Sequence, residues 1–215
     1  MNGHNPLRRK MPWAFIAGAL LATLIQCQDE WRGLLFYDRT AIAHGEWWRL
    51  WTGHLVHFGW PHFAIDTGLF LILGWLLESA QPALARLSLI ALPVFISSCL
   101  FCYDPTLLRF GGLSAVNHGL LLYLIGQRWQ QNRTGWFWPA VLFVYLGELV
   151  FMSAIGKGSS GGMIRFDDPE IHVATSAHLA GVIYAIMLLL GIAYLRWLSG
   201  IEHEGSCQRK VGRPS

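Results

Sequence analysis

The chain has 215 residues, 53% of them hydrophobic and only 13% charged, with a mean hydropathy of +0.39. That composition excludes an ordinary soluble domain and places most of the chain in a membrane. The formal net charge is +3, and no basic stripe interleaved with aromatics lies on a soluble element, so no nucleic-acid partner is expected.

A helix needs roughly 20 apolar residues to cross the hydrocarbon core. Six stretches approach this: residues 12–28, 62–79, 83–103, 113–129, 136–155 and 172–197. The predicted fold is an all-α membrane protein, a bundle of six transmembrane helices over residues 12–198. A cytoplasmic segment, 1–11, precedes it and a basic, disordered cytoplasmic tail, 199–215, follows. No repeat or second domain is visible. Orientation follows from the basic residues. With the N-terminus inside, Arg8, Arg9, Lys10, Arg86, Arg128, Arg133, Arg196, Arg209, Lys210 and Arg213 are cytoplasmic, and Arg32, Arg39, Arg49, Arg109, Lys157 and Arg165 are external. The same topology puts Asp29, Glu30, Asp38, Glu46, Asp104, Asp167, Asp168 and Glu170 outside.

The first stretch is expected to remain as a helix. Its apolar part runs long, and no small-x-small cleavage site follows it before Asp29 and Glu30. The loop over residues 29–61 holds Trp31, Trp47, Trp48, Trp51 and Trp60 with Phe36, Tyr37 and Phe58. Amphipathic rings favour the headgroup zone, so the loop is predicted to lie half-sunk in the outer leaflet. An aromatic belt explains most of those rings. It does not explain the order Glu46-Trp47-Trp48-Arg49, then His54, His57 and His62, with Asp66 one helical turn beyond. His44, His54, His57 and His62 match no zinc-ligand spacing such as His-Glu-x-x-His, so neither metal nor cofactor is expected. Cys27, Cys99 and Cys102 fall near external helix ends, where a disulfide and free thiols are both open. Cys207 lies in the tail.

The fourth stretch opens with Gly112-Leu113-Ser114-Ala115 and the sixth carries Ala177-His178-Leu179-Ala180-Gly181. A serine hydroxyl becomes a nucleophile when a base within hydrogen-bond reach takes its proton, and neutral imidazole suits that task near neutral pH. Both residues fall near the external ends of their helices, at a similar depth of about 10 Å. Gly181 and Ala185 form a small-xxx-small pair, and Gly119 lies on the serine helix, so the two helices can approach closely. Backbone amides of Leu113 and Ser114, at a helix start, are natural donors to an oxyanion. His118, four residues after Ser114, shares its face and is open to two readings, a competing base or an interhelical hydrogen bond. Asn117 likewise either bonds between helices or lends an oxyanion donor. Glu148, ionisable within the fifth stretch, either contacts a polar part of a substrate or pairs with a tyrosine. The glycine-rich segment 156–162 lacks Walker spacing and is predicted to be a flexible external loop able to act as a lid.

Taken together, Trp48-Arg49, His57, His62, a polar residue at 66, Gly112-x-Ser114 and Ala177-His178-x-x-Gly181 resemble the rhomboid intramembrane serine proteases. The run Gly112-Leu113-Ser114-Ala115-Val116-Asn117-His118-Gly119 looks most like the rhombosortases. The resemblance implies catalysis by Ser114 and His178, with His62 as a side-chain oxyanion donor. It also implies membrane-spanning protein substrates bearing a glycine-glycine C-terminal sorting tail, in a bacterial inner membrane with the site opening toward the periplasm. At position 66 the family pattern expects asparagine, and this chain has aspartate. Asp66 is either protonated and donates a hydrogen bond, or points elsewhere to orient His62, and the second reading is preferred. The departure leaves one alternative, a non-catalytic rhomboid-like protein that binds client transmembrane helices.

Overall fold

The computed structural model describes residues 11–155 and 175–211. In chain order the elements are α1 (Trp13–Gln26), α2 (Asp29–Leu35), β1 (Tyr37–Asp38), α3 (Arg39–Ala43), α4 (Arg49–Thr52) with a 3-10 turn at Gly53–Leu55, and α5 (Trp60–Ala80). There follow α6 (Pro82–Tyr103), β2 (Arg109–Phe110), α7 (Ser114–Gln131), α8 (Phe137–Ile155) and α9 (Thr175–Val211). Prolines at the first turns of α5 and α6 pre-set helical φ where no amide donor is needed.

Each of the six apolar stretches holds a helix, yet among the described residues only Trp60–Ala80, Pro82–Tyr103 and Thr175–Ser199 are long and apolar enough to cross a membrane. α1 has 14 residues, so at 1.5 Å per residue it spans only about 21 Å. α7 falls short through its polar residues, among them Ser114, Asn117, His118, Gln127 and Arg128. It tolerates them because it runs between α5, α6, α8 and α9 and is shielded by protein. The tail corrects a second expectation. Predicted to be disordered from residue 199, it continues α9 as far as Val211, since extending an existing helix avoids the cost of nucleation. The predicted lid at 156–162 lies outside the described residues, as do Arg8, Arg9, Lys10, Lys157, Arg165, Asp167, Asp168, Glu170 and Arg213 and the side chains of Glu148 and Cys207.

The loop over residues 29–61 is a folded unit. Arg49 is buried and binds the Glu46 carboxylate at 2.7 Å and the carbonyls of Phe36 at 2.9 Å and Gly33 at 3.3 Å. Its guanidinium thus satisfies backbone oxygens that the loop's turns leave without partners. Trp48, on the same turn, stays half exposed and donates from Nε1 to Leu34 O at 3.4 Å.

The loop then plugs a defect in α6. Pro93 has no amide to offer Leu89 O one turn back, and Trp51 Nε1 donates to that oxygen at 2.9 Å. His54 Nε2 donates to Pro93 O at 3.1 Å. On the loop's other side Tyr37 pairs with Phe110, and Asp38 with Arg109, in an antiparallel ladder that ties it to the segment entering Ser114. The core runs inward from there through Leu73, Leu77, Leu92, Ile96, Leu120 and Leu124.

Candidate active site

Ser114 is the first residue of α7 and His178 lies on the first turn of α9. Ser114 Oγ stands 3.0 Å from His178 Nε2. Two glycines set this approach. A methyl group at Gly181 would lie 2.4 Å from Ala115 O, and one at Gly119 would lie 2.9 Å from Gly181 O, so the backbones of α7 and α9 touch there. Ala185, one turn further along α9, is fully buried.

For Ser114 to donate to Nε2, the imidazole carries its proton on Nδ1. His178 Nδ1 has no hydrogen-bond partner among the described residues, so the arrangement has two members rather than three. The His118 ring stacks on the His178 ring. Its imidazole lies 4.1 Å from that of His178 with planes 8° apart, and its Nδ1 is 2.7 Å from Ser114 O. Neither sequence reading of His118 anticipated this stack, although its spacing from Ser114 already placed it on the right face. Asn117 Nδ2 donates to Asp66 O at 2.9 Å, joining α7 to α5.

A second serine and histidine also meet, His54 Nε2 lying 3.0 Å from Ser97 Oγ. The same nitrogen faces the Pro93 carbonyl, which can only accept, so Nε2 carries the proton and cannot take one from Ser97. Ser97 is fully buried, and burial pushes His54 down to about 4, keeping its ring neutral. This pair is a structural tie.

Opposite Ser114 the chain makes a tight corner. Gly112 has φ of +124°, and a methyl group there would lie 2.9 Å from His62 Cε1 and Nε2 and 3.3 Å from Asp66 Oδ2. Only glycine lets the backbone press against both side chains. Asp66 Oδ2 is 3.1 Å from His62 Nε2 and 3.5 Å from His57 Nε2, with all three residues buried. His57 Nδ1 faces Leu55 O at 3.2 Å, which places its proton there and leaves Nε2 to accept. That acceptor takes the Leu113 amide at 3.3 Å. The Leu113 amide, expected to be open to an oxyanion, is therefore engaged with His57, because a buried amide before a helix start needs a partner. The described residues contain no cluster able to hold a metal ion.

Away from this corner, Asp104 follows the last turn of α6. Its carboxylate accepts from Thr106 Oγ1 and Ser176 Oγ, each at 2.7 Å. The Ser176 hydroxyl, then that of Thr106, hold this carboxyl below its usual range. No motif signalled this bond, because its partners lie 72 residues apart.

A serine at a helix start, an imidazole within hydrogen-bond reach of it and a glycine corner lined by histidines are the kinds of part that acyl transfer uses. No curated protein matches the sequence. The rhomboid domain family model matches residues 44–195, which takes in the later part of the loop, Ser114 and His178, and the chain belongs to the rhomboid family.

Proposed function

We propose that this chain is an intramembrane serine protease that cuts a peptide bond in or next to a transmembrane segment. The observation that carries the reading is the contact of Ser114 Oγ with His178 Nε2 at 3.0 Å across two helices. Ser114 Oγ attacks the peptide carbonyl as His178 Nε2 takes its proton, and the imidazolium then returns that proton to the leaving amine. Water, activated by the same imidazole, releases the acyl group. The developing oxyanion is met by the Ser114 amide, at the positive end of the α7 dipole, and by the His62 imidazole. Asp66 acts on His62. The 3.1 Å contact of Asp66 Oδ2 with His62 Nε2 supports the orienting reading, in which the carboxylate holds the ring through its single Nε2–H until the developing oxyanion takes that proton as acceptor in its place.

A helical peptide bond is shielded by its own hydrogen bonds, so substrates that unwind cheaply at glycine are favoured. The rhombosortase-like run at 112–119 narrows this to proteins with a glycine-glycine C-terminal sorting tail. In the same proposal the protease unit is residues 12–198, its helices cross the bacterial inner membrane six times, both termini are cytoplasmic and the site opens to the periplasm. The test is cleavage of a reporter bearing a glycine-glycine, single-span, basic tail, in membranes holding wild type, Ser114→Ala, His178→Ala or Asp66→Asn. Wild type cuts, the first two variants do not, and Asp66→Asn cuts more slowly because an amide orients imidazole less strongly. A wild type that binds the tail and leaves it whole sinks the proposal in favour of a non-catalytic binder of client helices.

A further inference from the structure

We infer that Asp104 is a positioning residue for the Ser114–His178 pair, an inference that rests on the proposed protease reading. Asp104 stands where two paths to the site diverge. Ten residues on, through β2 and the Gly112 corner, its own chain reaches Ser114. Across space its carboxylate takes the hydroxyl of Ser176, two residues before His178. One side chain thus joins the segment that delivers the serine to the first turn of the helix that delivers the histidine.

Asp104 and the end of α6 are themselves held from several sides. Thr106 Oγ1 binds the other carboxylate oxygen at 2.7 Å. Arg39 N donates to Leu108 O at 3.0 Å, and the Arg39 guanidinium reaches Leu100 O at 3.3 Å and Asp104 O at 3.4 Å. The same guanidinium lies 4.7 Å from the Phe101 ring centre. With the end of α6 fixed in this way, the Ser176 bond transmits that fixity to α9. Gly181 and Gly119 set how closely α7 and α9 approach, while the Asp104–Ser176 bond sets how far α9 is advanced along its axis. Both are needed to hold an imidazole at 3.0 Å from a hydroxyl, since a misplacement of about 1 Å can cost about 100-fold in rate.

The experiment compares kcat, KM and melting temperature in wild type, Asp104→Ala, Ser176→Ala, the double variant, and the conservative Asp104→Asn and Ser176→Thr. The bond predicts that each alanine variant loses roughly tenfold to 100-fold in kcat with KM held. The double variant is no slower than the worse single one, because both remove one interaction. Ser176→Thr, which keeps the hydroxyl, restores most of the rate. Alanine variants that keep wild-type kcat, losses that multiply in the double variant, or losses that track melting temperature and resist rescue by threonine overturn the inference. A wild type without activity removes the protease reading and this inference with it, whereas active wild type with unaffected variants removes the inference alone.

Discussion

Gly181→Ala is the sharpest perturbation available to the account. The added methyl would lie 2.4 Å from Ala115 O, an atom of the α7 backbone that no side-chain rotation can move. Ordinary contact begins near 3.4 Å, so α9 must retreat from α7 by about 1 Å, the difference between those distances. His178 lies one turn away on the same helix and retreats with it. The Ser114–His178 separation then grows from 3.0 Å to about 4 Å, beyond hydrogen-bond range. A displacement of that size costs on the order of 100-fold in rate, about 2.7 kcal/mol in activation free energy. The assay is kcat on the glycine-glycine reporter, with melting temperature in detergent as the control for folding. Gly191→Ala provides the internal comparison, since a methyl at Gly191, on the same helix, meets nothing within 4 Å. Its kcat should match wild type. Gly181→Ala that is folded and cuts at the wild-type rate would refute the claim that this helix contact sets the catalytic distance.

His118→Ala removes the ring stacked on His178, worth about 0.5–1.5 kcal/mol for an aromatic pair, and should lower kcat by roughly two- to tenfold; His118→Phe keeps the platform and most of the rate. Arg49→Ala strips partners from two loop carbonyls and Glu46; a loss of about 2 kcal/mol in denaturant titration is expected, with little recovery in Arg49→Lys, which lacks the planar fork. Stability should also depend on pH through His54, whose pKa falls from 6.5 to about 4 on folding. Between those values the unfolded chain holds the extra proton, so this contribution is complete above about 6.5 and is lost as pH falls toward 4. Melting temperature measured across that range should drop less steeply in His54→Gln than in wild type.

The close approach of the two helices was legible in the sequence because each carries a packing glycine. Gly119 lies on the Ser114 helix, and Gly181 follows His178 at the spacing needed for close helix contact. Arg49 was legible through the resemblance of Trp48-Arg49 to the family's loop, although its carbonyl partners were not. The ladder of Tyr37 and Phe110 was not, since two-residue strands have no periodicity to read. Nor was the plugging of α6. Pro93 announces an orphaned carbonyl, but that Trp51 fills it depends on the loop folding back against α6 across 38 positions. The stack of His118 on His178 needed the angle between two helices, and the Asp104–Ser176 bond needed the advance of α9. The length of α9 past residue 199 was misread because its composition is polar, whereas a helix already formed extends at low cost.

The most direct test of the central claim is mass-spectrometric mapping of a fluorophosphonate, which reacts with serine only where a base has activated it. The account predicts a single adduct on Ser114 in wild-type membranes, lost in Ser114→Ala and strongly reduced in His178→Ala. A folded wild type with no adduct, an adduct on Ser97 instead, or labelling of Ser114 undiminished by His178→Ala would contradict it.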